Sequence, residues 1–301
     1  MRAYIKSMRG CWRNGACLLT AMLLTAAASS QRVYLLGTGY APRDVALYDA
    51  LIAHGLQVTL GVPYAQFDGS QNLNAYHVVV LAGAGNYDDM PPAGQDAMID
   101  WVRNGGGLVT LEWTLWAVGA VNLFRRLRSL FPATYSSLYN YRDSIAYLQH
   151  ASDPLLNQGL NGYLPLGEGH EAQIIEKPGA IRYYRTDHPH GGAGVVGWTY
   201  ENGRVISFSV AAGYALNPLL QNPYMRQLLA NAVRWAANLS CTETEGDVNR
   251  DGCVDDADLL AVLFAFGQTG SSLAEDINCD GVVDDADLLI VLFNFGTGGS
   301  C

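Results

Sequence analysis

Residues 31–240 contain no cysteine, so any mechanism that needs a thiolate nucleophile in that stretch is excluded. Residues 241–301 contain a single basic residue, Arg250, against thirteen acidic ones. Charged residues make up only 15% of the 301-residue chain, and half of it is hydrophobic. That excludes a polar disordered chain and leaves apolar material for a sizeable core. A net charge of -10 argues against nucleic-acid phosphate as a partner. The charge is concentrated: residues 1–30 carry four basic groups and no acid, whereas residues 31–240 carry 13 basic and 15 acidic groups. A nearly neutral body with an acidic tail suggests a cation site in the tail.

A long apolar run occurs only near the start. Arg2, Lys6, Arg9 and Arg13 precede the run 16–28, and Ala26-Ala27-Ala28-Ser29-Ser30 offers small residues for cleavage. This layout predicts a secretory signal peptide over 1–30, with an uncleaved anchor as the alternative; the run is short for a membrane span of about 20 residues. Export would place the protein in an extracytoplasmic compartment where disulfides persist. The four tail cysteines allow three connectivities, of which Cys253–Cys279 with Cys241–Cys301 is favoured.

The tail repeats itself at a spacing of 29 residues. Asp247-Val-Asn-Arg-Asp-Gly-Cys-Val-Asp-Asp-Ala-Asp258 matches Asp276-Ile-Asn-Cys-Asp-Gly-Val-Val-Asp-Asp-Ala-Asp287. Calcium takes six to eight oxygens, which a twelve-residue loop supplies from positions 1, 3, 5, 7, 9 and 12. In the first loop these are Asp247, Asn249, Asp251, the carbonyl of Cys253, Asp255 and Asp258. In the second they are Asp276, Asn278, Asp280, the carbonyl of Val282, Asp284 and Asp287. Gly252 and Gly281 occupy position 6, where the loop turns sharply. Two calcium ions are expected, and without them the clustered carboxylates repel one another. Position 12 is Asp, not the Glu of an EF-hand, and the polar stretch before the first loop does not read as a helix.

Two loop–helix units over 247–296 resemble a type I dockerin. The resemblance implies an attachment module that docks onto a cohesin-like scaffold or cell-surface protein, in a context of polysaccharide catabolism. Positions 10 and 11 depart from the family's frequently hydroxylic pair, being Asp256-Ala257 and Asp285-Ala286. The exit helices are apolar nearly all round, so each other, the body or a partner must cover them.

In the body, strands are expected over 32–39, 57–61, 77–81 and 108–112, with helices over 42–54, 91–104 and 219–237. Segments 195–199 and 204–210 read as a hairpin joined by an Asn202-Gly203 turn. Alternating elements imply a mainly parallel sheet with helices on both faces and ligands at the carboxyl ends of the strands. The residues Tyr76-His-Val-Val-Val-Leu81, Ile99-Asp-Trp-Val-Arg-Asn-Gly-Gly-Gly-Leu-Val109, Asp153-Pro-Leu-Leu156, Asn202-Gly-Arg-Val-Ile206 and Arg234-Trp-Ala-Ala237 carry a second resemblance. It is to the class I glutamine amidotransferase-like superfamily, in its ThuA-like (trehalose-utilisation) branch, and implies a flavodoxin-like α/β fold. The expected organisation is a signal peptide (1–30), an α/β domain (31–240), a linker (241–246), a small all-α calcium-loop domain (247–296) and a tail (297–301).

The resemblance places a nucleophile elbow at Glu112-Trp113-Thr114 and an oxyanion loop at Gly83-Ala84-Gly85. No cysteine stands there, so glutaminase chemistry is not expected. Glu112 takes the place of a family histidine, and Gly213-Tyr214 that of a Gly-His pair. Glu112 is the candidate catalytic residue, as a general acid or base, or else a buried structural carboxylate. Trp113 and Trp116 have the character of sugar-stacking rings or of core residues. Glu168, His170 and Glu171, and Asp187, His188 and His190, form two groupings read as loops, able to ligate a metal or simply solvated. The expectation is a secreted calcium-binding protein whose α/β domain is a carbohydrate-related binding or accessory module. The alternative is a carbohydrate-directed hydrolase using Glu112.

Overall fold

A computed structural model describes residues 31–83, 87–212, 214, 218–237, 246–249, 253–269, 273–278 and 282–297; the side chains of 112, 137–140 and 218 are not described. The expected signal peptide, Ala84 and Gly85, Asp251, Asp280 and the cysteines other than Cys253 lie outside these residues. Both expected disulfide pairings therefore fall outside as well.

The body starts with β1 (Arg32–Gly37), α1 (Ala41–Ile52), β2 (Gln57–Pro63), β3 (Val78–Leu81), α2 (Pro92–Arg103), β4 (Gly107–Thr110) and α3 (Glu112–Ala120). Four longer or later strands follow: β5 (Ala133–Gln149), β6 (Tyr163–Glu176), β7 (Ile181–Thr186) and β8 (Ala193–Tyr200). The ninth strand is β9 (Gly203–Phe208), and α4 (Pro218–Gln221) and α5 (Pro223–Ala237) close the body. All nine strands join one sheet in the order β2-β1-β3-β4-β9-β8-β6-β5-β7. Pairings from β2 to β9 are parallel, and those beyond β9 are antiparallel. Because β7 also pairs with β8, the last four strands close into a barrel-like ring. The mainly parallel sheet expected from sequence is thus only half of the observed one.

The inner parallel strands β1, β3, β4 and β9 are buried on both faces, which is why they read as continuous apolar runs, whereas edge strand β2 is largely open. Val78, Val80, Val33 and Leu35 face one core, shared with Leu47 and Leu51 of α1 and Leu228, Leu229 and Val233 of α5. Val79, Leu81, Tyr34 and Leu36 face the other, shared with Met98 and Val102 of α2 and Leu115 and Val118 of α3. At about 25 cal/mol per Å², burial of such side chains is worth roughly 1.5–3 kcal/mol each.

Two local readings need correction. Strand β4 ends at Thr110 and Glu112 opens α3, so 108–112 is not all strand. The turn between β8 and β9 is Glu201-Asn202, with Tyr200 paired to Gly203 and Glu201 at φ 53°. Gly203 is required for packing: a Cβ there would lie 2.1 Å from the Val102 carbonyl oxygen at the end of α2.

In the tail, α6 (Asp256–Ala265) and α7 (Asp285–Asn294) each follow a loop and pack together through Val262, Ala265 and Val291. The two units are bonded reciprocally. Gly267 N donates to Val283 O and Gly296 N to Val254 O, each at 2.8 Å, and Gly267 and Gly296 are equivalent across the repeat. Among the described residues no helix is long and apolar enough to cross a membrane.

Candidate functional site

The parallel strands β1, β3, β4 and β9 point their carboxyl ends to one rim, where a doubly wound sheet presents ligands. The loop after β1 is fixed by buried Asp44 of α1. Its carboxylate accepts from Thr38 N (2.8 Å), Thr38 Oγ1 (2.9 Å) and Gly39 N (3.1 Å). The loop after β3 starts at Gly83, whose φ of 109° disfavours any side chain. A Cβ at Gly83 would also lie 2.7 Å from Trp113 Cβ. The oxyanion-type loop and the elbow expected from sequence therefore abut. Glu112 is the first residue of α3 at this rim.

Aromatic rings line the rim in a continuous series. Tyr87 meets Trp116 at 5.8 Å between centroids, Trp116 meets Trp113 at 4.9 Å, and Trp113 meets Tyr214 at 4.9 Å. Tyr214 then meets His170 at 4.7 Å, and His170 meets Tyr141 at 5.2 Å. Most of these pairs are edge-to-face, the orientation that the ring quadrupoles favour. Tyr87 is 76% exposed and Tyr141 51%, while Trp113, Trp116, Tyr214 and His170 are half-buried, so the series forms a wall open to solvent.

His170 reaches the rim because the chain after β9 pairs with β6. Glu171 bridges Val210, Ala172 N donates to Ser209 O (2.9 Å), and Ala211 N donates to His170 O (3.0 Å). The grouping Glu168, His170 and Glu171 is thus on strand β6 and not in a loop. Alternation along that strand separates its members. His170 faces the aromatic series and Glu168 accepts from Tyr141 Oη at 2.6 Å, whereas Glu171 is fully buried.

Beneath the wall lies a polar chain. Tyr147 Oη and Ser209 Oγ are 2.8 Å apart, and Ser209 Oγ donates to Glu171 Oε1 at 3.0 Å. Arg142 Nη1 donates to Glu171 Oε2 at 2.7 Å and to Asp187 Oδ1 at 2.8 Å. Ala146 N donates to the same Asp187 oxygen at 3.0 Å. Burial opposes the Arg142 charge, but the bonds to Asp187 and Glu171 outweigh it and raise its pKa. Burial, followed by the neighbouring Glu171 charge, pushes the Tyr147 phenol well up. Burial lowers His170 and His188, favouring neutral imidazoles at neutral pH. The buried carboxylate of Glu171 is committed to Arg142 and Ser209, and Asp187 to Arg142, so neither grouping assembles a metal site. Among the described residues no group of three or more His, Cys, Asp or Glu side chains is arranged to hold a metal.

The tail loops present a different donor set. Asp258 and Asp287, at position 12, are fully buried. Each reaches back to the start of its loop: Asn249 N donates to Asp258 Oδ1 (3.0 Å) and Asn278 N to Asp287 Oδ1 (2.9 Å). Their second oxygens accept from Asp255 N and Asp284 N at 2.9 Å, while Asp255 and Asp284 cap the helices in return. Positions 1, 3, 7, 9 and 12 of both loops are described; position 5, Asp251 and Asp280, is not. Both buried carboxylates are thus held by backbone N–H donors at each end of their loops. The oxygen donors expected at these positions suit calcium.

Sequence reasoning missed Arg43, Tyr87, Tyr141, Arg142, Tyr147 and Ser209. The signal for β5 was present as an alternation of Tyr135, Tyr139 and Tyr141, with Tyr147 in phase. Arg43, inside a correctly read helix, carried no sequence signal of its own.

No family model and no curated protein matches the chain. Several solved structures share its body fold. A ThuA-like protein from Parabacteroides merdae matches with a TM-score of 0.54 at 15% identity, over 69% of this chain and 90% of that one. A ThuA-like protein from Bacteroides uniformis gives 0.53 at 13% identity, over 69% and 91%. A β-galactosidase from Bacillus circulans sp. alkalophilus gives 0.51 at 15% identity, over 69% of this chain but 31% of the enzyme. The body, a parallel sheet extended by antiparallel strands, therefore has the mixed α/β fold seen in ThuA-like proteins.

Proposed function

We propose that the body binds carbohydrate at the aromatic rim and that the tail is a calcium-ordered, dockerin-like attachment module of an exported protein. The observation that carries the first part is the series Tyr87–Trp116–Trp113–Tyr214–His170–Tyr141 along the carboxyl ends of the parallel strands. A pyranose ring has an apolar face and a hydroxyl rim, and a ring wall edged with imidazole and phenol groups complements both. The β-galactosidase neighbour carries a domain of this fold within a larger sugar-acting enzyme, which agrees with an accessory role.

The tail would hold two calcium ions through Asp247, Asn249, Asp251, Cys253 O, Asp255 and Asp258, and through Asp276, Asn278, Asp280, Val282 O, Asp284 and Asp287. Bound calcium supplies the positive charge that lets these carboxylates converge and both loops close. The helices then present outward apolar faces related by the repeat: Leu260 and Leu289, Leu263 and Leu292, Phe264 and Phe293. Phe264 and Phe293 are 83% and 82% exposed, which favours a cohesin-like partner over the body as their cover.

Calorimetric titration of the full chain with a panel of neutral and acidic oligosaccharides tests the sugar reading. Trp116→Ala should reduce affinity about 10-fold or more, and a wild-type chain that binds no member of the panel overturns the reading. Glu112 at the same rim supports a second reading, as a hydrolase. Turnover by the wild type that Glu112→Gln abolishes would establish it, and turnover by neither leaves the binding role.

A further inference from the structure

We infer that the carbohydrate taken at the rim bears a carboxylate, as a uronic acid does, and that Arg43 receives it. This deepens the sugar-binding reading and rests on it. Arg43 stands in the first turn of α1, beside the loop that Asp44 fixes. Its guanidinium lies 4.6 Å from the Tyr214 ring centroid and 5.1 Å from that of Tyr40. Tyr214 is a member of the aromatic series, so the cation belongs to the same wall.

Two described carboxylates near this wall are committed elsewhere. Asp44 is held by Thr38 and Gly39, and Glu168 by Tyr141. Arg43 is in none of the ion pairs among the described residues. Its Nε is buried with no hydrogen-bond partner among the described residues. A charged donor left without an acceptor is costly, and stacking on rings offsets only part of the cost. Face stacking leaves the donors of a guanidinium in their own plane, the geometry that grips a carboxylate by two parallel hydrogen bonds. A sugar ring set against Trp113 and Tyr214 would bring a C6 carboxylate toward this cation, and a C6 hydroxyl would leave the charge unmatched.

The test is calorimetric titration of the full chain with oligogalacturonate, oligoglucuronate and oligomannuronate, each beside its fully methyl-esterified counterpart. The esters keep the rings and remove the charge. At least one acid form should bind about 10-fold or more tightly than its ester, and the ratio should shrink as salt is added. Arg43→Gln should bring the ratio close to one, and Arg43→Lys should restore only part of it. Equal binding of acid and ester, or a preference that survives Arg43→Gln, overturns the inference while leaving the sugar reading standing. Binding of neither form by any pair, together with no binding of neutral oligosaccharides, overturns both.

Discussion

The body and the tail of this chain solve the same problem by opposite means. The body balances 13 basic against 15 acidic groups and sandwiches a sheet between two apolar cores. The tail carries thirteen acids and one base, and among its described residues only Val248, Val254, Val262, Ala265, Val283 and Val291 form a buried core. Units of about 50 residues seldom bury enough apolar surface to stand alone and commonly rely on a metal. In the body, the buried Glu171 carboxylate is paired by a protein side chain, Arg142. In the tail, the proposed calcium ions would supply the missing positive charge. If burial orders one region and a bound cation the other, the two should respond to different perturbations.

The largest expected effect is on the tail. Chelation should abolish its folding transition while leaving the melting of the body unchanged. Scanning calorimetry with and without chelator checks this, and a single unchanged transition would break the contrast. In the body, Arg142→Met should cost about 3–5 kcal/mol, because it strands the buried Glu171 carboxylate. Urea denaturation followed by tryptophan fluorescence checks it, and the tail's response to calcium should be unaltered.

A smaller effect distinguishes the regions by pH. His77 Nδ1 accepts from Arg32 N at 3.1 Å, which fixes the neutral ring, and its Nε2 is buried without a partner among the described residues. Burial, reinforced by the Arg32 charge, holds its pKa down at about 4. Above about pH 6.5 both folded and unfolded chains have a neutral His77, so it contributes nothing. As the pH falls from 6.5 to 4 only the unfolded chain takes the proton, and the body loses up to about 3 kcal/mol. His77→Gln should flatten this part of the stability profile relative to wild type, as read by denaturant titrations at pH 7 and pH 4.5.

Legibility in the sequence followed the same division. The inner parallel strands were visible as apolar runs because both of their faces are buried, as in Val78–Leu81. The tail loops were visible because two near-identical segments recur at a spacing of 29 residues. Strands β5 to β7 were harder to read, because buried residues such as Tyr147, Ala172 and Tyr184 are interspersed with exposed or charged ones such as Tyr141 and Glu168. Gly203 was assigned to a turn because Asn-Gly usually makes one, whereas the nearby Val102 carbonyl decides its place. The rim itself was half legible. Trp113 and Trp116 came from an elbow position, but Tyr214, His170 and Tyr141 converge through pairing of β6 with the chain after β9, a contact between distant segments.

The claim that a cation builds the tail is tested most directly by counting calcium on the full chain by isothermal titration. Two equivalents per chain are expected, falling to one in Asp258→Ala and in Asp287→Ala separately. No calcium uptake by the wild type, or an unchanged stoichiometry in both variants, would contradict it.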